Sequence, residues 1–239
     1  MLPLKDDIPS QTTPVVTVGL ILLNALAFFY QFALDAGGAG PGARAAQDLV
    51  REFGLVPCRL TGMCADVGGL PAPWLTVFTS MFLHGGLFHI GGNMLYLWIF
   101  GNNVEDTLGH GRFLVFYLAS GVAAAATQTL VGPASSVPMI GASGAVSGVL
   151  GAYLLLFPHA NVLTLVTFGL FIRVVRVSAL LVLGFWIVIQ FVNGILAVST
   201  TAGGAEGGAG VAWFAHIGGF VAGMALLGLL RPPMRRRGP

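Results

Sequence analysis

Apolar residues in this chain gather into long runs bounded by charge, proline or glycine, with little alternation of apolar and polar positions. A hydrocarbon layer about 30 Å thick needs roughly 20 apolar residues at a rise of about 1.5 Å each. Six runs approach that length: Pro14 to Leu34, Leu87 to Val104, Phe113 to Val131, Met139 to Phe157, Val177 to Val198, and Val211 to Leu230. The pattern predicts an all-α membrane protein, one bundle of six transmembrane helices over residues 14–230. A further apolar stretch, Asn161 to Phe171, is too short to cross before Arg173 and is expected to lie at the interface or fold back within protein.

Composition agrees: 56% of residues are hydrophobic and 8% charged, against roughly a quarter charged in a soluble domain. The lipid bilayer is therefore an expected partner. Net charge is only +2, and basic residues are scattered apart from Arg231 and Arg235 to Arg237, so nucleic acid is not an expected partner. Lys5 stands beside Asp6 and Asp7 with no apolar run, unlike a secretory signal, and residues 1–13 are expected to remain as a cytoplasmic segment. With the N-terminus inside, Lys5, Arg112, Arg173, Arg176, Arg231 and Arg235 to Arg237 fall on the cytoplasmic side. Only Arg44, Arg51 and Arg59 fall outside. Both termini are then cytoplasmic, with residues 231–239 a basic tail. A six-span core without a targeting extension suits a bacterial plasma membrane.

The extracytoplasmic first loop, 35–73, is longer than a simple connection requires. Ala43 to Phe53 reads as a short amphipathic helix. Cys58 and Cys64, on the oxidising side, are a candidate disulfide closing a small loop unless backbone geometry forbids it. With no histidine near them in the loop they make a poor zinc site, and no metal or small-molecule cofactor is expected. Thr200 to Gly210 is Gly-rich and reads as a flexible loop.

Polar side chains at membrane depth are functional candidates, and here they converge. Counting from Pro138, Ser143 lies about five residues into the fourth run, roughly 7 to 8 Å along its axis. His216 lies at a similar depth in the sixth run. The second run shares their direction, with His84 above its start, His89 near its top and Asn93 one turn lower on the face of His89. Gly141, Gly144, Gly148 and Gly151 form a stripe on the fourth run, and Ala215, Gly219 and Gly223 one on the sixth, so the two backbones can approach closely. A hydroxyl within hydrogen-bond reach of an imidazole is an activated nucleophile. Gly141 and Gly144 would leave the Ser143 backbone N–H open to a developing oxyanion. No carboxylate lies in that layer; Glu105 and Asp106 are at the opposite end of the second run. The catalytic unit such residues can form is a Ser-His dyad.

The segments His84-Gly-Gly-Leu-Phe-His89-Ile-Gly-Gly-Asn93, Gly141-Ala142-Ser143-Gly144 and Ala215-His216-Ile-Gly-Gly-Phe-Val-Ala-Gly223 together resemble the signature of the rhomboid intramembrane serine proteases. The likeness runs from about Trp74 to the end of the sixth run. The long first loop and Gly101-Asn-Asn-Val-Glu105 fit it as well. The resemblance implies that Ser143 is the nucleophile and His216 the general base and acid. It also implies that His89 and Asn93, with the Ser143 N–H, form an oxyanion hole, while His84 supports the site or its water. Substrates would be transmembrane helices of other proteins cut near their outer ends, with the fifth span and the Gly-rich loop as movable cover. Two positions depart from the family. Ser147 stands where an aromatic residue often packs on the histidine, and Trp74 is followed by Leu75 where Trp-Arg is common. The imidazole must then be oriented by other contacts.

Each residue also has a plainer reading. Serines among glycines often pack or bond back to their own helix, which is the reading adopted for Ser147. Membrane histidines and amides often bridge helices; Gln190 and Asn193 could face the site or simply join helices, and the second reading is adopted. Trp74, Tyr96 and Trp98 read as interface anchors or core. A catalytically silent rhomboid-like protein that binds or escorts membrane helices is the alternative function. A zinc protease lacks H-E-x-x-H here, and a transporter would show duplicated broken helices.

Overall fold

The computed structural model describes residues 2–35, 41–64, 69–168, 171–202 and 211–232. The chain runs through β1 (Leu2–Asp6), α1 (Val15–Asp35), α2 (Pro41–Phe53), α3 (Pro57–Leu60) and α4 (Pro73–Thr79), which tightens into a 3-10 turn at Ser80–Phe82. It continues through α5 (Leu87–Leu108), α6 (His110–Val131), α7 (Ser143–Leu156), β2 (Asn161–Phe168), β3 (Phe171–Ser178), α8 (Ala179–Ala202) and α9 (Trp213–Leu230). Among the described residues, four helices are long and apolar enough to cross a membrane: α1, α6, α8 over Ala179–Ser199, and α9. Their outward faces carry large apolar side chains such as Leu22, Phe29, Leu181, Val188 and Leu229, as expected of a multi-pass membrane protein.

The short helix α7 lies innermost. Val149, Ala152 and Tyr153 are fully buried, and α7 packs against α5, α6 and α9. Small residues permit this closeness. A side chain on Gly219 would overlap the Gly144 carbonyl, one on Gly223 the Gly148 backbone, and one on Gly151 the Phe220 carbonyl. Gly141 is not part of that stripe, because the fourth helix starts at Ser143. Met139 instead pairs with Leu55 across two backbone hydrogen bonds of 2.7 and 3.0 Å, and Gly141 has φ +123°, which ends any helical continuation. Ser143 is thus the first residue of its helix and not one lying a turn and more inside it.

The fold is mostly helical but not all-α. The Asn161 to Phe171 stretch belongs to an antiparallel hairpin, β2 with β3, in register from Asn161 opposite Ser178 to Phe168 opposite Phe171. The N-terminal segment adds β1 to its edge, Leu2 opposite Leu165 and Asp6 opposite Val162. Both hairpin strands are rich in β-branched residues that favour a pleated, half-buried surface. The fifth helix accordingly begins at Ala179, after a strand that includes Val177.

At the same end of the bundle, carboxylates tie elements together. Glu105, fully buried, accepts from the backbone N–H groups of Val16 (2.9 Å) and Thr17 (2.8 Å), and from the Thr17 hydroxyl (2.7 Å). It thereby caps the first turn of α1. His110 Nδ1 lies 2.6 Å from Oε1, the oxygen that also accepts from Val16. Asp6 accepts from Tyr153 and from Asn103, both at 2.6 Å. Asp7 accepts from the Asn161 backbone and side-chain amides at 2.8 and 2.7 Å.

Candidate active site

Residues that the sequence places on separate apolar runs line one cavity of about 750 Å3. Ser143 opens α7, His216 lies in the first turn of α9, and His89 in the first turn of α5. First-turn N–H groups have no acceptor within their own helix, and the dipoles of the three helices present their positive ends to the cavity. Ser143 and His216 are half-buried and both line the cavity. The Ser143 Oγ and His216 Nε2 are 2.8 Å apart, a normal hydrogen-bond separation. The glycine contacts between α7 and α9 bring them that close.

The His216 ring is held on its remaining sides. Trp186 lies against it at a centroid distance of 5.8 Å, and Trp213 meets it edge to face at 6.2 Å. Ser147 does not reach the ring: its hydroxyl donates to the Ser143 carbonyl at 2.6 Å. His216 Nδ1 lies 2.7 Å from Gln190 Oε1. Gln190 thus faces the site, where the sequence reading had it joining helices. It does both, since it ties α8 to α9 through the imidazole.

On the opposite wall, the Gly85 N–H donates to His89 Nδ1 at 3.2 Å. That nitrogen is therefore the acceptor, and Nε2 carries the proton. Nε2 faces Gly141, where an added Cβ would sit 2.7 Å from it. Asn93 Nδ2 is buried and has no hydrogen-bond partner among the described residues, a condition that normally calls for an acceptor supplied from elsewhere. An oxygen bound between these donors and the Ser143 N–H would find its charge stabilised. His84 is 2% exposed; Gln31 grips its backbone at both N–H (2.9 Å) and C=O (3.3 Å). Its ring packs on His89 at 5.1 Å and approaches the Ala142 N–H at 3.5 Å. Tyr96 also lines the cavity. Sequence reasoning did not single out Gln31, Trp186 or Trp213; a lone Gln in an apolar first run was the available signal for the first.

Two other predictions concern the first loop and the glycines. Cys58 and Cys64 are joined by a disulfide with Cα atoms 5.1 Å apart. Gly144 and Gly148 face α6 as well as α9, since a Cβ on Gly144 would come within 2.6 Å of the Ala124 methyl. The Gly-rich stretch expected as cover lies, over 203–210, outside the described residues.

Comparison with known proteins points the same way. A family model described as the Rhomboid domain matches residues 71–233. Rhomboid protein 1, mitochondrial, of Saccharomyces cerevisiae is 38% identical over 101 residues, covering 38% of this chain and 28% of that protein. Rhomboid protease GluP of Bacillus subtilis is 42% identical over 81 residues, 34% of this chain and 15% of the relative. Rhomboid-type serine protease 2 of Emericella nidulans is 31% identical over 185 residues, 76% of this chain and 32% of the relative. The chain thus spans about a third or less of the length of these relatives. The family model covers more than half of the chain, with the cavity-lining serine, histidines and asparagine all inside the matched region: the chain belongs to the rhomboid family.

Proposed function

We propose that this protein is an intramembrane serine endopeptidase that cleaves transmembrane segments of other membrane proteins near the extracytoplasmic surface. The observation that carries the reading is the 2.8 Å approach of Ser143 Oγ to His216 Nε2 inside the cavity. His216 takes the hydroxyl proton as Oγ attacks the scissile carbonyl carbon, and the carbonyl oxygen becomes an oxyanion. His89 Nε2–H, Asn93 Nδ2–H and the Ser143 N–H stabilise that charge. The imidazolium then returns the proton to the leaving amine, and water, deprotonated by His216, hydrolyses the acyl-enzyme. Gly141, Gly144, Gly148, Gly219 and Gly223 keep the helices close enough for the dyad to form.

In this reading α5 and the short α7 complete a six-span bundle with α1, α6, α8 and α9. Lys and Arg bias puts both termini in the cytoplasm and the dyad near the outer surface. A bacterial plasma membrane is the proposed location; named relatives include a mitochondrial one. The competing reading, a silent escort of membrane helices, is disfavoured because nucleophile and base are both present and in register. Labelling with a serine-directed fluorophosphonate is the test: modification at Ser143, abolished in His216→Ala, is expected. Equal labelling of wild type and Ser143→Ala overturns the reading.

A further inference from the structure

His216 has two ring nitrogens, and only one faces Ser143. The other, Nδ1, lies 2.7 Å from Gln190 Oε1. The amide of Gln190 cannot be turned around freely, because its Nε2 donates to the Trp186 carbonyl at 3.2 Å and a carbonyl only accepts. Oε1 therefore faces the ring. An amide oxygen also only accepts, so Nδ1 must carry a proton and Nε2 must present its lone pair to the Ser143 hydroxyl at 2.8 Å. The opposite tautomer would set an N–H against that hydroxyl and leave no base to remove its proton.

We propose that Gln190 is the positioning residue of the catalytic histidine, fixing its tautomer and ring orientation from α8 in the place a carboxylate holds in a serine triad. The proposal rests on the dyad reading above. Among the described residues lining the cavity, the other titratable groups are His89 and Tyr96, and there is no carboxylate. Gln190 is 5% exposed, so water does not compete freely for Nδ1. The Gln190 oxygen also points its dipole at the positive charge that forms on His216 during proton transfer. α8 is the least buried of the four long apolar helices, so this bond makes the state of the base depend on the seating of a peripheral helix.

The test compares Gln190→Met and Gln190→Glu with wild type on a chromogenic transmembrane substrate in proteoliposomes. Gln190→Met keeps the bulk and removes the acceptor. It is expected to lower kcat about tenfold to a hundredfold, equivalent to about 1.4 to 2.7 kcal/mol, with KM little changed. Gln190→Glu restores an acceptor and adds a charge that holds the imidazolium. It is expected to recover activity at alkaline pH and to move the acidic limb of the kcat/KM profile to higher pH. A residue that merely joins helices would move KM or the melting midpoint and leave that limb in place. Wild-type kcat in Gln190→Met overturns the proposal, and if that variant fails to fold, an unmoved limb in Gln190→Glu does so. Persistent turnover in Ser143→Ala would instead overturn the dyad reading itself.

Discussion

Replacing Glu105 by Gln should destabilise the bundle by about 2 to 5 kcal/mol, although the two side chains have the same shape. Both carboxylate oxygens are occupied by donors: Oε1 by the Val16 N–H and His110 Nδ1, and Oε2 by the Thr17 N–H and hydroxyl. A glutamine offers one oxygen and one amino group. Whichever way it turns, its amino group faces one backbone N–H that cannot rotate away. The Thr17 hydroxyl and the half-exposed His110 ring can adapt by becoming acceptors; the amide of Val16 or Thr17 cannot. One lost hydrogen bond to a charged group is worth about 1.5 to 3 kcal/mol. The negative charge also leaves the N-terminus of α1, which removes a further contribution of about 0.3 to 2 kcal/mol. Reversible unfolding in mixed micelles, followed by tryptophan fluorescence or steric trapping, measures the difference directly. A Glu105→Gln protein with wild-type stability would refute the assignment of Glu105 as the cap that anchors α1 to α5.

Other perturbations test separate parts of the structure. Ser143→Ala and His216→Ala should each abolish substrate cleavage in proteoliposomes while leaving the melting midpoint within a few degrees of wild type. Gly219→Val should force α7 and α9 apart at the Gly144 carbonyl, destabilising by about 1 to 3 kcal/mol and suppressing fluorophosphonate labelling. Gly141→Ala places a methyl against His89 at a backbone conformation unfavourable to alanine; kcat should fall by about a hundredfold or more if His89 is an oxyanion donor. Asp7 is held below its ordinary value of 3.8, first by the Asn161 side-chain amide and then by its backbone N–H. A depressed carboxylate lends support above its ordinary value and loses it as pH falls through the folded one. Amide exchange at Asn161, corrected for intrinsic rate, should therefore accelerate below about pH 4.

The outer helices were readable from the chain because apolar runs measure themselves against membrane thickness: α1, α6 and α9 begin within three residues of the predicted starts. The hairpin was missed as a hairpin for the same reason. Length alone decides only whether Asn161 to Phe171 can span, while the strand signal in β3 is its β-branched composition, Ile172, Val174, Val175 and Val177. β1 had no local sign at all, since its partner β2 is remote in sequence. In the cavity, Ser143, His216, His89 and Asn93 could be brought together on paper because depth and glycine spacing constrain them. The position of Gln190 depends on the rotation of α8 about its own axis, and an almost uniformly apolar helix leaves that angle undefined in sequence. The start of α7 was misjudged because hydropathy does not register the turn that Gly141 makes.

The sheet has a practical consequence for anyone handling the protein. Residues 2–6 form an edge strand, and that strand is stitched by Asp6 to Tyr153 on the innermost helix. Trimming them as a dispensable leader would strip one side of β2 and leave the Tyr153 hydroxyl and the Asn103 amide without their buried acceptor. An affinity tag is safer placed beyond α9 than fused directly ahead of Leu2.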